Sequence, residues 1–149
     1  LFVGINKWAA TTLVIWGTVN AVIIMVSAVA MYSVIELAAA SSISSEDKLV
    51  MVQVLTQIIS NSWGISGLFF GLWLLPMGYI IVSSKRMPVA LGWVLIVGGV
   101  GYLLQTFLNA GGLHSSYIGL LTIPATIGEF WIVGYLLIVG IRLDGNLKI

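Results

Sequence analysis

The chain contains no cysteine and only one histidine among its 149 residues. Without cysteine it can form no disulfide, no thiolate nucleophile and no iron–sulfur cluster. One histidine cannot provide paired haem ligation or a multi-histidine metal site. We therefore expect no metal and no cofactor of these kinds, and no set of residues predicts a catalytic centre.

Charged side chains are scarce as well, at 7% of the residues, with a formal net charge of +1. The few basic residues form no cluster large enough to grip a polyphosphate, which argues against nucleic acid as a partner. Hydrophobic residues make up 60% of the chain, and the mean hydropathy is +1.13. A soluble domain has about 45–50% apolar and about 25% charged residues. The composition predicts an integral membrane protein with the lipid bilayer around it.

Charge-free runs divide the chain into membrane-spanning segments. Three runs, from Trp8 to Ile35, from Leu49 to Ser84 and from Met87 to Gly128, each exceed the roughly 20 residues that cross a bilayer. The third must turn back, and the glycine-rich stretch NAGGLHSS at 109–116 supplies the turn. Continuous apolar runs without alternation favour helices over barrel strands. We predict an all-α membrane bundle, one domain over residues 1–149, with helices at about 8–35, 58–82, 89–108 and 117–141.

Local signals refine two of these helices. Ser44 precedes Asp47 by three residues, a capping-box-like start. The second helix should therefore begin before the hydrocarbon and run its first turns among the lipid headgroups. Pro76 and Pro124 each remove a backbone donor and can kink the helices that contain them.

Glycines predict where the helices pack closely. Gly67 and Gly71 form a GxxxG step in the second span, and the third span carries several glycines of its own. Such small residues let two backbones approach in membrane bundles. The predicted helix-packing positions are Gly67, Gly71, Gly98 and Gly101.

The basic residues predict an orientation. All of them except Lys48 fall at one end of the predicted bundle, namely Lys7, Lys85, Arg86, Arg142 and Lys148. Basic residues in short loops stay in the cytoplasm. We therefore expect both termini of this chain to be cytoplasmic, with the acidic loop that holds Glu46 and Asp47 on the other side.

One carboxylate lies inside an apolar span. Glu129 falls near the bilayer midplane, where a charged acid costs roughly 2.5–3.5 kcal/mol. Asn20 and Tyr102 come out at similar depth, and Gln105 about one helical turn, roughly 5 Å, further out. These three side chains are the expected hydrogen-bond partners of Glu129. Since no basic residue reaches that depth, the acid should be largely neutral, able to donate and accept.

Three roles for this polar site remain open. Glu129 can fix helix register through a hydrogen bond worth about 1 kcal/mol, or couple proton movement to a small solute with Asn20, Tyr102 and Gln105 along the path, or bind a lipid or pigment head group. Trp16, Trp73 and Trp131 lie within the spans. Four helices cannot bury all three indoles, so some of them should face lipid or a partner. We predict a non-enzymatic subunit or scaffold bound to other membrane protein subunits, with a proton-coupled transporter using Glu129 as the alternative.

An enzymatic interpretation rests on one short stretch. The sequence GISG, from Gly64 to Gly67, matches the pattern that rhomboid proteases place around a nucleophilic serine, here Ser66. The only histidine, His114, lies in a turn without the helical context of a rhomboid base, and Glu129 is roughly 20 Å along the chain from it. We interpret the pattern as a chance match in a glycine-rich helix.

A family resemblance is carried by two longer stretches. The sequence GLFFGLWLLPMGYIIVSSKRMPVALGWVLIVGGVGYLLQTFLN at 67–109, followed by IPATIGEFWIVGYLLIVGIR at 123–142, resembles the C-terminal part of a bacterial membrane family known as domain of unknown function 4386. The resemblance covers spans two to four well and span one loosely. It implies a bacterial cytoplasmic membrane protein with Glu129 in a recurring motif, and no activity. The basic loop SSKRMP departs from the family's usual small-residue turn.

The same resemblance bears on the length of the protein. Members of the family look like six-helix proteins, which implies that two N-terminal helices precede the four in this chain. The chain begins with Leu1 rather than methionine. We therefore expect that Leu1 is not the native start.

Overall fold

The structure is a computed structural model that describes residues 2–113 and 115–141. Throughout this part of the chain the regular structure is helical, with helices α1 (Lys7–Ala39), α2 (Ser45–Ser84), α3 (Val89–Ala110) and α4 (Ile123–Ile138), the last preceded by a short 3-10 helix (Ile118–Thr122). Each of the four, with α4 extended by its 3-10 turns, is long and apolar enough to cross a membrane. The prediction of an all-α membrane protein with four spans is thereby confirmed.

Helix α2 begins where its capping sequence predicts. The Ser44 hydroxyl accepts a hydrogen bond from the Asp47 backbone N–H at 3.1 Å and donates one to the Asp47 carboxylate at 2.6 Å. The helix ends at Lys85, whose left-handed φ of 54° terminates the α-helical hydrogen bonding. Asn6 caps α1 in the same way as Ser44, through a 3.0 Å bond from the Ala9 N–H.

The last span differs from the expected single helix over 117–141. Its first turns, Ile118–Thr122, are 3-10, and the α-helix starts at Ile123. Pro124 therefore lies in the first turn of α4 instead of kinking its interior. A proline is tolerated there because the first backbone N–H groups of a helix have no partner within the helix. Pro76, by contrast, lies inside α2.

The helices pack in chain order as an open series. Helix α1 packs on α2, α2 on α3, and α3 on α4 and its 3-10 turns, while the described residues form no extensive contact between α1 and α4. The buried apolar cluster lies where α2, α3 and α4 meet, at Leu74, Ile81, Met87, Leu91, Leu95, Ala125 and Ile132. Helices α1 and α4, at the two ends of the series, each have one principal neighbour.

Glycines line the contacts on both sides of α3. A Cβ at Gly71 would lie 2.8 Å from the Gly99 carbonyl oxygen, and one at Gly78 would lie 2.5 Å from that of Gly92. On its other side α3 uses different glycines, because a Cβ at Gly98 would overlap Ala125 and one at Gly101 would overlap the Leu121 carbonyl. Gly67, at the end of the α2–α3 contact, faces the Thr106 hydroxyl and the Tyr102 ring. The four predicted packing glycines thus all lie at helix contacts.

On one side of the protein, α1 and α2 extend past the end of α3. The α2–α3 glycine contacts run antiparallel, so that Ser60 comes level with Ala110 at the end of α3, and both line the same groove. The 15 residues of α2 before Ser60 therefore continue about 22 Å past α3. Residues 27–39 of α1 accompany them, since Asn20 contacts Ser66 and the Lys48 ammonium donates to the Ala38 carbonyl at 3.3 Å. We call residues 27–59 the projecting hairpin.

The projecting hairpin is apolar on the outside as well as at its seam. Small residues, Ser27 and Ala30, are buried against α2. Large apolar side chains on both helices are more than half exposed, among them Tyr32 at 62%, Ile35 at 67% and Val54 at 56%. If α3, with 22 residues or about 33 Å, spans the roughly 30 Å hydrocarbon core, the hairpin carries this apolar surface beyond the bilayer.

Candidate functional site

Asn20 bonds across the first helix interface and not to Glu129. The Ser66 hydroxyl of α2 donates a 2.6 Å hydrogen bond to the Asn20 amide oxygen, and both residues are buried. The contact is flanked by the Trp16 and Phe69 rings, whose centroids lie 5.9 Å apart. Ser66 is the serine of the GISG stretch, and in this structure its hydroxyl is engaged in helix packing.

Glu129 lies on α4, at the other end of the helix series from Asn20 on α1. Its carboxyl atom Oε1 is buried and has no hydrogen-bond partner among the described residues. The preceding Gly128 brings this part of α4 against Leu95, because a Cβ there would lie 2.7 Å from the Leu95 side chain. Tyr102, one of the expected partners, lies about two helical turns from Leu95 along α3 and forms no hydrogen bond with Glu129 Oε1. An unpartnered carboxyl oxygen in an apolar contact is unfavourable unless a bond is made in another state or by another molecule.

Tyr102 and Gln105 come together at a groove between α2 and α3. Tyr102 packs edge-on against Phe70, with 5.2 Å between ring centroids, and presents its ring to Gly67. Gln105 is one turn further along α3, and both residues line the groove. Of the four residues predicted to form one polar site, Tyr102 and Gln105 line the groove. Asn20 belongs to the α1–α2 interface, and Glu129 lies where α4 packs on Leu95.

The groove has a volume of about 630 Å³ and opens at the end of α3 away from the Lys85–Arg86 loop. Its lining residues are Ser60, Asn61, Trp63, Gly64, Ile65, Gly67, Leu68, Tyr102, Gln105, Thr106, Asn109 and Ala110. A second cavity of about 460 Å³ shares Gln105 and Asn109 with it and continues toward Ser115 and Ser116. The volume falls within the range of small-molecule binding sites.

Several of these polar residues were missed by the sequence reasoning. Asn61 and Asn109 lie in stretches that were assigned to helix ends and turns, and Ser60 resembles any other small residue there. The available signal was the spacing of Gln105 and Asn109, four residues apart on one face of a helix. Pairing that face with Asn61 requires the α2–α3 register, which the tertiary structure provides.

The hydrogen bonds within the groove leave donors and acceptors free. The Asn61 amide oxygen accepts a 3.0 Å bond from the Gln57 amide, so the Asn61 NH₂ group remains available. The Thr106 hydroxyl donates to the Tyr102 carbonyl at 2.9 Å and retains its acceptor capacity. Neither Gln105 nor Asn109 forms a side-chain hydrogen bond with another described residue. The groove therefore offers uncharged amide and hydroxyl groups to a ligand.

Some residues weighed in the sequence reasoning cannot be placed. His114, Arg142 and Lys148 lie outside the described residues. In the part of the chain that is described, no three His, Asp or Glu residues come together as a metal site. The site is thus characterised by neutral polar groups and one buried carboxyl group.

Comparison with known proteins identifies a family and no more. The model of the family described as Domain of unknown function (DUF4386) matches residues 1–140. The match includes α1, which the sequence patterns had related to the family only loosely. No curated protein and no solved structure matches the chain significantly.

Proposed function

The chain belongs to this family of unknown function, and we propose that it is a non-enzymatic subunit of a larger membrane assembly that binds its partners through the projecting hairpin. The observation that carries the proposal is the length mismatch between the helices. An apolar hairpin that continues about 22 Å past α3 cannot be covered by the same bilayer that α3 spans. Exposed apolar surface outside lipid is typical of protein–protein contacts.

The partner surface that fits this hairpin is apolar and helical. Tyr32 and Ile35 on α1 and Val50 and Val54 on α2 present bulky side chains on the outside of the pair. The charged side chains lie in the outer part of the hairpin, with Glu36 in the last turn of α1 and Glu46, Asp47 and Lys48 in the first turn of α2. The partner should therefore present an apolar helix face, with polar or basic residues where it meets the tip of the hairpin.

The orientation and location form part of the same proposal. Lys7 at the start of α1 and Lys85 and Arg86 between α2 and α3 lie at the end of the bundle away from the projecting hairpin. The positive-inside tendency places that end in the cytoplasm and the hairpin outside a bacterial cytoplasmic membrane. Both chain termini are then cytoplasmic, and the partner binds on the non-cytoplasmic side.

Native mass spectrometry after purification in mild detergent tests the subunit proposal. We expect the chain to be recovered with a larger protein in fixed stoichiometry. The variant Ile35→Ser/Val54→Ser should lose that protein, while Val97→Ser, a similarly exposed position in α3, should retain it. Recovery of the chain alone, or of multiples of its own mass, contradicts the proposal.

A second candidate, a proton-coupled transporter of a small solute, is favoured by the Glu129 geometry. The Oε1 atom has no partner among the described residues, and this part of α4 packs on α3 at Leu95, about two helical turns from Tyr102 at the floor of the groove. A proton leaving Glu129 would have Tyr102 and Gln105 on the way to the outside. Liposomes with an internal pH dye test this candidate, since a pH gradient should collapse with the native chain and persist with Glu129→Gln. Equal rates for both proteins and empty liposomes exclude it.

A further inference from the structure

The groove between α2 and α3 changes in polarity along its length. Its mouth is formed by Ser60, Asn61 and Asn109, and its floor by Gly64, Leu68 and the ring of Tyr102. Leu68 at the floor lies about 10 Å further along α2 than Asn61 at the mouth. A site with hydrogen-bonding groups at one end and apolar groups at the other fits an amphiphile, because each end of such a ligand finds surroundings of its own polarity.

The location of the groove mouth also fits an amphiphilic ligand. Ala110 is the last residue of α3, a helix of 22 residues or about 33 Å that matches the hydrocarbon thickness. The mouth is therefore at the membrane–water boundary and the floor inside the outer part of the hydrocarbon. Lipid molecules are arranged in this way, with head group at the boundary and acyl chains inward.

The charge of the head group follows from the lining. Of the described residues that line the groove, none is charged. Lys85 and Arg86 lie at the opposite end of α2, and Lys48 is about 18 Å further along the projecting hairpin, where its ammonium group bonds the Ala38 carbonyl. Among the described residues, an anionic phosphate would find no counter-charge here. The free amides of Gln105 and Asn109 and the NH₂ group of Asn61 instead suit hydroxyl groups, which both donate and accept.

We propose that this groove binds a membrane lipid with an uncharged, polyhydroxylated head group, such as a glycosyl diacylglycerol. The amides of Asn61, Gln105 and Asn109 bond the sugar hydroxyls, and the exposed Trp63 indole packs on the apolar face of the ring. An acyl chain follows the floor past Gly64, where the missing side chain leaves room. This binding site is separate from the projecting hairpin and does not depend on the proposed subunit role.

Gly64 offers a sharp test, because a Cβ there meets nothing within 4 Å. The Gly64→Leu side chain would project into the groove without disturbing the helix contacts. Gly134 on α4 is a matched control, since a Cβ there also meets nothing within 4 Å and the residue does not line the groove. Gln105→Leu provides a second variant that removes hydrogen bonding without adding bulk near the floor.

The experiment is native mass spectrometry of the chain in a polyoxyethylene detergent, which avoids sugar-based detergents. Monoglucosyl diacylglycerol, phosphatidylglycerol and phosphatidylethanolamine with identical acyl chains are added singly. We expect the glucolipid to be retained about tenfold more than either phospholipid. Gly64→Leu and Gln105→Leu should lose this preference by about tenfold, and Gly134→Leu should keep it.

Other outcomes overturn the assignment. Equal retention of the three lipids, or a preference unchanged in both groove variants, means that the lipids bind the general apolar surface. Displacement of the glucolipid by methyl glucoside at equal concentration means that the site recognises a free sugar and that the apolar floor contributes nothing. Circular dichroism melts of each variant, expected to match the native chain, establish that lost binding is not lost folding.

Discussion

The hydroxyl group of Ser66 donates a 2.6 Å hydrogen bond to the amide oxygen of Asn20, in a buried contact between α1 and α2. The bond lies next to the contact between the Trp16 and Phe69 rings. Its position fixes how far α1 slides along α2. The projecting hairpin depends on that register, because it determines which residues of α1 extend past α3.

Removing this hydrogen bond should weaken the α1–α2 pair modestly. Ser66→Ala leaves the Asn20 oxygen buried without a donor, and we expect a loss of about 1 kcal/mol, within the range measured for polar bonds between membrane helices. Unfolding in mixed micelles with increasing sodium dodecyl sulfate measures it. The control is Ser33→Ala, whose exposed hydroxyl bonds the Val29 carbonyl of its own helix. Equal stability of the Ser66→Ala variant and the native chain would contradict the role of the bond.

Filling a glycine contact between α2 and α3 should be more damaging. The Gly71→Val side chain would begin 2.8 Å from the Gly99 carbonyl oxygen, so the two backbones must separate. Overpacking of this kind costs about 1–3 kcal/mol. The same micelle unfolding measures it, with Gly134→Val as the matched control, because that position is open. A loss as small as that of the control would mean that α2 and α3 are not held backbone to backbone.

Replacing Glu129 should leave the protein as stable as before or stabilise it, unlike the substitutions above. Its buried Oε1 has no hydrogen-bond partner among the described residues, so replacing the side chain by an apolar one of similar size removes an unfavourable group. We expect Glu129→Leu to leave stability unchanged or raise it by about 1 kcal/mol. A substantial loss in Glu129→Leu that Glu129→Gln does not show would reveal a hydrogen bond that fixes helix register.

The depth of the projecting hairpin can be tested with charge. A lysine at the centre of a membrane helix costs roughly 2.5–3.5 kcal/mol, whereas outside the hydrocarbon the same substitution costs little. Val97 lies in the middle of α3 and is 54% exposed, and Val54 in the hairpin is 56% exposed. We therefore expect Val97→Lys to reduce membrane insertion strongly and Val54→Lys to leave it unchanged. Similar losses at both positions would place the hairpin inside the bilayer.

The sequence patterns anticipated much of the fold. Charge-free runs located the four spans, the Ser44 and Asp47 pair predicted the start of α2, and small residues marked the helix contacts. These features are local, and they depend on solvent preference, backbone hydrogen bonding and side-chain size. They carry over to the structure because neighbouring helices cannot override them.

The candidate site was predicted less completely, for a physical reason. Counting along the spans predicts a similar depth for Asn20, Tyr102 and Glu129, but the helix contacts bring Glu129 level with Leu95, about two turns from Tyr102 along α3. Counting also leaves open the direction in which each side chain faces. The structure places Asn20 against Ser66 of α2 and Glu129 where α4 packs on Leu95 of α3. The projecting hairpin is as apolar as a membrane span, so its composition does not reveal that it continues past α3. The register between the helices reveals it.

Site-specific crosslinking at the projecting hairpin tests the central claim most directly. A photoreactive amino acid placed at Val54 should yield a protein adduct of defined mass after irradiation in cells. The same group at Val97, which is exposed in the middle of a candidate membrane span, should yield none. Absence of a protein adduct at Val54, or adducts only at multiples of the chain's own mass, would contradict the claim that the hairpin binds another subunit.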